Sequence, residues 1–93
     1  MERKRSHLEV IRDILQVVRN KNGRAKPTHI LYKSNLSHNM MKDYLDELIT
    51  KKFIVEEKDE SGKGRIYKIT EKGNKYLFEY NRIVGFMDSF GLS

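Results

Sequence analysis

Residues 27–55, PTHILYKSNLSHNMMKDYLDELITKKFIV, hold the reading that decides the fold. Pro27 is the only proline and suits the first turn of a helix, where its missing N–H costs nothing. That helix is expected to reach about Lys33 and to bury Ile30, Leu31 and part of Tyr32. Ser34-Asn35-Leu36-Ser37 then reads as a tight turn, with Leu36 as an apolar plug between two helices. Ser37 is a good N-cap for the second helix, although Met40 stands where a capping box needs Glu or Gln. Met41, Tyr44, Leu45, Leu48 and Ile49 line one face of that helix, and His38, Asn39, Lys42, Asp43 and Asp46 line the other. Phe53-Ile54-Val55 opens a strand.

Upstream, Leu8, Ile11, Ile14, Leu15 and Val18 recur at three- and four-residue steps, predicting an amphipathic helix from about Lys4 to Asn20, with Val10 and Val17 on a flanking stripe. Asn20-Lys21-Asn22-Gly23 stops it, and Arg24-Ala25-Lys26 fits a minimal first strand. Downstream, Asp59–Gly64 is a turn cluster with a flexible glycine-bearing tip, and Arg65–Ile69 alternates as a second strand. Thr70 caps a last helix beginning at Glu71, and Gly85 is a candidate end or bend. The order is three helices, a β-hairpin and a C-terminal helix. The fold class is therefore α+β, mainly α: a winged helix-turn-helix. One domain spans 1–93, with a basic arm (1–5), a core (6–69) and a C-terminal helix (70–93) expected to contact a second copy.

That contact is read from Tyr76, Tyr80, Ile83, Met87 and Phe90, spaced as a heptad seam, with Leu77 and Val84 beside it. The seam could pack on the domain's own core. Phe78 and Phe86 lie off it and leave little of the helix polar, which favours a dimer.

A chain of 93 residues has room for one small core. The charged fraction, 34%, is high and the hydrophobic fraction, 38%, is low, as suits a thin-cored helical domain. The absence of cysteine excludes disulfides and thiolate-bound zinc. With no apolar run long enough to span a bilayer and no signal peptide at the start, the expected location is cytoplasmic, with the nucleoid as the site of action. The net charge of +6 favours an anionic partner. Residues 1–26 hold 8 Lys/Arg against 3 Asp/Glu, whereas 27–52 hold 4 against 3. The helix-turn-helix is thus nearly neutral when the chain is divided there.

The runs THILYKSNLS, MKDYLDELITKKFI and YKITEKGNKYL resemble the archaeal winged helix-turn-helix predicted transcriptional regulators. That likeness covers about Ser6 to Tyr80, and its last motif is shared by many winged-helix families. It implies a homodimer that binds double-stranded DNA with the helix 38–51 in the major groove. Relatives include small DNA-binding proteins joined by an antiparallel coiled coil. The segment after Ile69 is shorter here than in the long coiled-coil relatives.

Base reading requires donors and acceptors at the exposed N-terminal end of the recognition helix. Ser37, His38, Asn39 and Lys42 are the candidates: Asn39 can pair with adenine, and Lys42 can reach guanine or phosphate. The bland alternative is a solvated helix face, favoured by Asp43 and Asp46. Phosphate contacts are expected from Thr28 and the first turn of its helix, from Lys63 and Arg65 on the wing, and from Arg3, Lys4 and Arg5 in the arm. His7, His29 and His38 lack metal-ligand spacing, and Gly62-Lys63-Gly64 is a hairpin tip rather than a phosphate-binding loop. The expectation is a non-enzymatic protein with no cofactor, no membrane partner and no evident small-molecule effector. The alternative function is a winged-helix protein–protein interaction module in a transcription or replication assembly.

Overall fold

A computed structural model of the chain describes residues 5–92, so Arg3 and Lys4 of the basic arm lie outside the described residues. The elements run α1 (His7–Asn20), α2 (Pro27–Lys33), α3 (His38–Thr50), β1 (Ile54–Lys58), β2 (Arg65–Ile69) and α4 (Glu71–Ser89). β1 and β2 pair antiparallel in a register that sets Ile54 against Ile69 and Lys58 against Arg65. The expected first strand contracts to one bridge, in which Tyr67 N donates to Ala25 O at 2.8 Å.

α1 begins at His7, later than the apolar spacing implied, because Ser6 caps it. The Ser6 hydroxyl accepts from Glu9 N at 3.2 Å and Glu9 accepts from Ser6 N at 3.4 Å. This reciprocal capping box fixes where the helix starts. Its buried stripe is Val10, Ile11, Ile14, Leu15 and Val18. Leu8, expected in that stripe, is 55% exposed, and Val10, assigned to the flank, takes its place. Across from α1 sit Ile30, Leu48, Ile54 and Leu77, one from each remaining helix and one from β1, all with no more than 1% exposure. Burying each such side chain contributes roughly 1.5–3 kcal/mol.

Tyr32, expected to be partly buried, is 78% exposed. α2 has only seven residues and turns Ile30 and Ser34 inward, which leaves Tyr32 on the far side. α2, α3 and α4 end alike, each with a left-handed residue just past the helix: Asn35 (φ 52°), Lys52 (φ 65°) and Gly91 (φ 67°). In each case the next amide reaches back into the last turn, as in Phe53 N to Leu48 O at 2.9 Å. Gly85, considered as an end for α4, is inside it; the helix closes at Gly91, where Leu92 N bonds Met87 O at 2.8 Å.

The junction between the hairpin and α4 is tightly specified. Thr70 Oγ1 donates toward Lys52 O (2.7 Å) and Phe53 O (3.0 Å), and accepts from Gly73 N at 3.1 Å. One hydroxyl thus caps α4 and ties it to the end of α3. Tyr76 packs edge-on against Phe53 and stacks on Tyr80, and its hydroxyl donates to Leu8 O at 2.8 Å. Burial, with Tyr80 alongside, pushes the Tyr76 phenol up to about 12, against an opposing effect from Arg12. Beyond Tyr80, every residue of α4 is exposed.

Candidate nucleic-acid interface

α3 is held by its inner face, through buried Met41, Leu45 and Leu48, while its outer face is open. The Ser37 hydroxyl accepts from Met40 N at 3.2 Å, so this candidate is occupied as the helix cap. His38, Asn39, Lys42, Asp43 and Asp46 are exposed. Their side chains form no hydrogen bond or ion pair with other described residues. Asn39 and Lys42 stand three positions apart, and His38 and Lys42 four apart, so the three share one turn and a half of surface. Asp43 and Asp46 follow and limit the region that anionic phosphates can approach.

A groove of about 320 Å³ separates α3 from the hairpin, lined by Pro27, His38, Lys42, Asp46, Glu56 and Arg65 among others. Four candidates or their neighbours, from α2, α3 and β2, therefore meet on one surface. Arg65 is ion-paired with Glu56 across the hairpin, so reaching a phosphate means competing with that carboxylate. Lys63 is exposed at the tip.

The tip expected to be flexible is instead built around Asp59. Asp59 Oδ1 accepts from Ser61 N (2.9 Å), from the Ser61 hydroxyl and from Gly64 N (3.3 Å). The Ser61 hydroxyl first, then the Gly64, Ser61 and Gly62 amides, hold the Asp59 carboxyl below its usual range. The available signal was the spacing Asp59-x-Ser61, which favours a side-chain-closed turn.

A winged helix-turn-helix sequence profile matches residues 4–87. The chain belongs to the winged helix-turn-helix family. No curated protein is matched by the sequence at significance. Among solved structures, this winged helix is similar to Sso10a-2, a DNA-binding protein from Sulfolobus solfataricus, with a TM-score of 0.77 at 21% identity, over 92% of this chain and 85% of that one. It is also similar to BpsR of Bordetella bronchiseptica, whose structure bears on regulation of its DNA binding by 6-hydroxynicotinic acid. There the TM-score is 0.72 at 12% identity, over 95% of this chain and 67% of that one. Lactococcus lactis ZitR gives 0.71 at 14% identity, over 98% and 65%. At these identities the likeness is one of fold.

Three further groups of the winged helix bear on the interface. Arg5 is folded back: its guanidinium pairs with Asp13 at 2.7 Å and donates to Asn35 O at 3.2 Å, bracing the turn before α3. Thr28, in the first turn of α2, is exposed. On that same turn, His29 Nδ1 accepts from Lys26 N at 3.1 Å. Burial first, then Lys21, Lys26 and Lys33, lower the His29 pKa below its ordinary 6.5. The fold therefore favours the neutral ring, which alone can accept that bond. The associated stability is fully present above pH 6.5 and is lost as pH falls through the folded value. Melting temperature is expected to fall as the pH drops below 6.5, and His29→Leu should flatten that part of the profile. An unchanged profile would remove His29 as the titrating group.

The seam residues divide. Tyr76 and Tyr80 are half-buried against the rest of the chain, whereas Ile83, Val84, Met87 and Phe90 are exposed. Leu8, Tyr80, Ile83, Val84 and Met87 line a groove of about 540 Å³ between α1 and α4. Leu8 joins this surface because it left the core stripe, which its spacing alone did not reveal. Phe86 and Phe90 pair with ring centroids 4.9 Å apart, and no described helix is long and apolar enough to cross a membrane.

Proposed function

We propose that this protein binds double-stranded DNA as a homodimer and regulates transcription, with α3 in the major groove. The observation that carries the reading is the outer face of α3. His38, Asn39 and Lys42 stand exposed and without partners among the described residues, on a helix anchored from behind and flanked by a hairpin. Donors without internal partners at a helix start are what base-edge hydrogen bonding requires. The wing supplies Lys63 and Arg65 as phosphate contacts, Thr28 adds a hydroxyl, and Arg3 and Lys4 add two further cations. Arg5 serves in this reading chiefly as a brace for the turn.

Dimerisation is assigned to the outer half of α4. Ile83, Val84, Phe86, Met87, Phe90 and Leu92 are all exposed there, and large apolar side chains gathered in water mark an interaction surface. The dimer doubles the phosphate contacts available to a weakly charged reading helix. Asp43 and Asp46 favour one second reading, an interaction module docking a basic protein segment on α3.

The deciding measurement is duplex binding across a salt series. Log affinity is expected to fall linearly with log salt, by about 0.9 in slope for each phosphate engaged. With six or more contacts in a dimer, roughly a thousandfold of affinity is lost between 50 and 200 mM salt. Absent or salt-independent binding would overturn the DNA reading and leave the interaction module.

A further inference from the structure

The chain contains a long stretch without a single acid. From Ile14 to Lys42 it carries Arg19, Lys21, Arg24, Lys26, Lys33 and Lys42 and no Asp or Glu, so this run holds +6, the net charge of the entire protein. Everything outside it balances. The fold does not scatter these cations. Lys21 is the C-cap of α1, Lys26 the N-cap of α2 and Lys33 the last residue of α2. His29 lies among them and registers all three electrostatically.

The three lysines enter no ion pair with described residues, whereas Arg5, Arg12, Lys51, Arg65, Lys68 and Arg82 each have an acidic neighbour. Clustered like charges without counter-charges raise the energy of the fold and attract an anion. The cluster also adjoins the reading surface. Pro27, next to Lys26, lines the groove that contains His38 and Lys42. On the other side, Arg24 and Lys26 share a groove of about 360 Å³ with Asp59 and Glu60 of the wing, so that flank is partly neutralised. Uncompensated positive charge is therefore left around α2, where exposed Tyr32 adds a hydroxyl beside Lys33.

We propose that Lys21, Lys26 and Lys33, with the Tyr32 hydroxyl, form a second phosphate contact that grips duplex flanking the segment read by α3. This rests on the DNA-binding reading and deepens it. Phosphate is favoured as the ligand because Lys26 directly precedes Pro27 of the reading groove and the cluster offers donors rather than an apolar anchor. It also resolves where the affinity comes from. The recognition helix contributes little charge itself, and the elements immediately before it contribute most.

The test compares Lys21→Gln/Lys26→Gln/Lys33→Gln with Lys51→Gln/Lys72→Gln/Lys75→Gln, which removes the same charge near the far end of α3. Both are titrated with salt against a random-sequence duplex. The first variant is expected to lose about 3 in salt slope per protomer and the second to keep the wild-type slope. Should the triple variant fail to fold, Lys21→Gln and Lys33→Gln alone are each expected to lose about 1. An unchanged slope in a protein that otherwise binds steeply overturns the second contact and leaves the DNA reading intact. Equal losses in both variants overturn it too, as a mere effect of net charge. A wild type that binds no duplex overturns both readings together.

Discussion

Gly73→Ala is expected to lower the melting temperature by roughly 10 °C or more, while Gly85→Ala, twelve positions on in the same helix, raises it. Helix propensity alone predicts the same sign for both, a gain of up to about 1 kcal/mol from replacing a glycine within a helix. Packing separates them. A Cβ at Gly73 would overlap the Phe53 carbonyl oxygen and lie 2.6 Å from Ile69 Cγ1, whereas nothing stands within 4 Å of one at Gly85. The Phe53 oxygen cannot simply retreat, because it accepts from Thr70 N at 3.1 Å and from Thr70 Oγ1 at 3.0 Å. Moving it strains the cap of α4 and the end of α3 together. Overpacking of this kind costs about 1–3 kcal/mol, at the upper end when backbone must shift, and about 4–8 °C per kcal/mol is typical for a chain this small. Thermal unfolding by circular dichroism reads both variants. A Gly73→Ala protein that melts at or above the wild type would show that α4 does not dock as described.

That glycine illustrates what the sequence could and could not say. The run Tyr67–Gly73 was recognisable as a winged-helix signature, yet nothing in its pattern names Phe53, twenty positions upstream, as the reason for glycine. Periodicity captured what local geometry controls: the inward face of α3, the hairpin, and Ser37 and Thr70 as caps. It failed where two local answers were equally good and tertiary contact chose between them. Leu8 and Val10 each continue a plausible stripe on α1, and packing of α1 against its neighbours selected Val10. Tyr32 followed Ile30 and Leu31 as a third apolar residue, but a seven-residue helix has one inward face. Lys52 adopts a left-handed conformation that nothing in its side chain advertises, since lysine, unlike Asn35 or Gly91, has no preference for it.

The candidate site was legible in a different proportion. Donors at the start of α3 were visible because a helix face can be drawn from spacing. The electrostatics were not, because a division of the chain at Lys26 cuts the acid-free run from Ile14 to Lys42 in two. In the folded protein Pro27, the residue after Lys26, lines one groove with His38 and Lys42, so the cut fell at the edge of that surface. Competition at Arg65 was equally hidden. Its pairing with Glu56 depends on the strand register, which sets Lys58 opposite Arg65 and Glu56 two residues along.

The largest functional effect is expected from Asn39→Ala combined with Lys42→Ala. Against a duplex selected from a randomised pool, affinity should fall roughly a hundredfold, because a well-placed contact to a base is worth about 1–3 kcal/mol. Against random duplex the loss should stay near tenfold or less, the share of one cation. Fold stability should hardly move, since both side chains are exposed and unpartnered among the described residues, and such substitutions stay within about 0.5 kcal/mol. Salt dependence divides the pair further. Asn39 is neutral, so Asn39→Ala should leave the salt slope unchanged while eroding selectivity. Lys42→Ala should reduce the slope by about 1 if its ammonium sits on a phosphate, and should cost selectivity if it sits on a guanine edge. Equal losses on selected and random duplex would mean that α3 only positions the protein. Any selectivity would then come from DNA shape, felt through the wing and the lysines around α2, rather than from base edges.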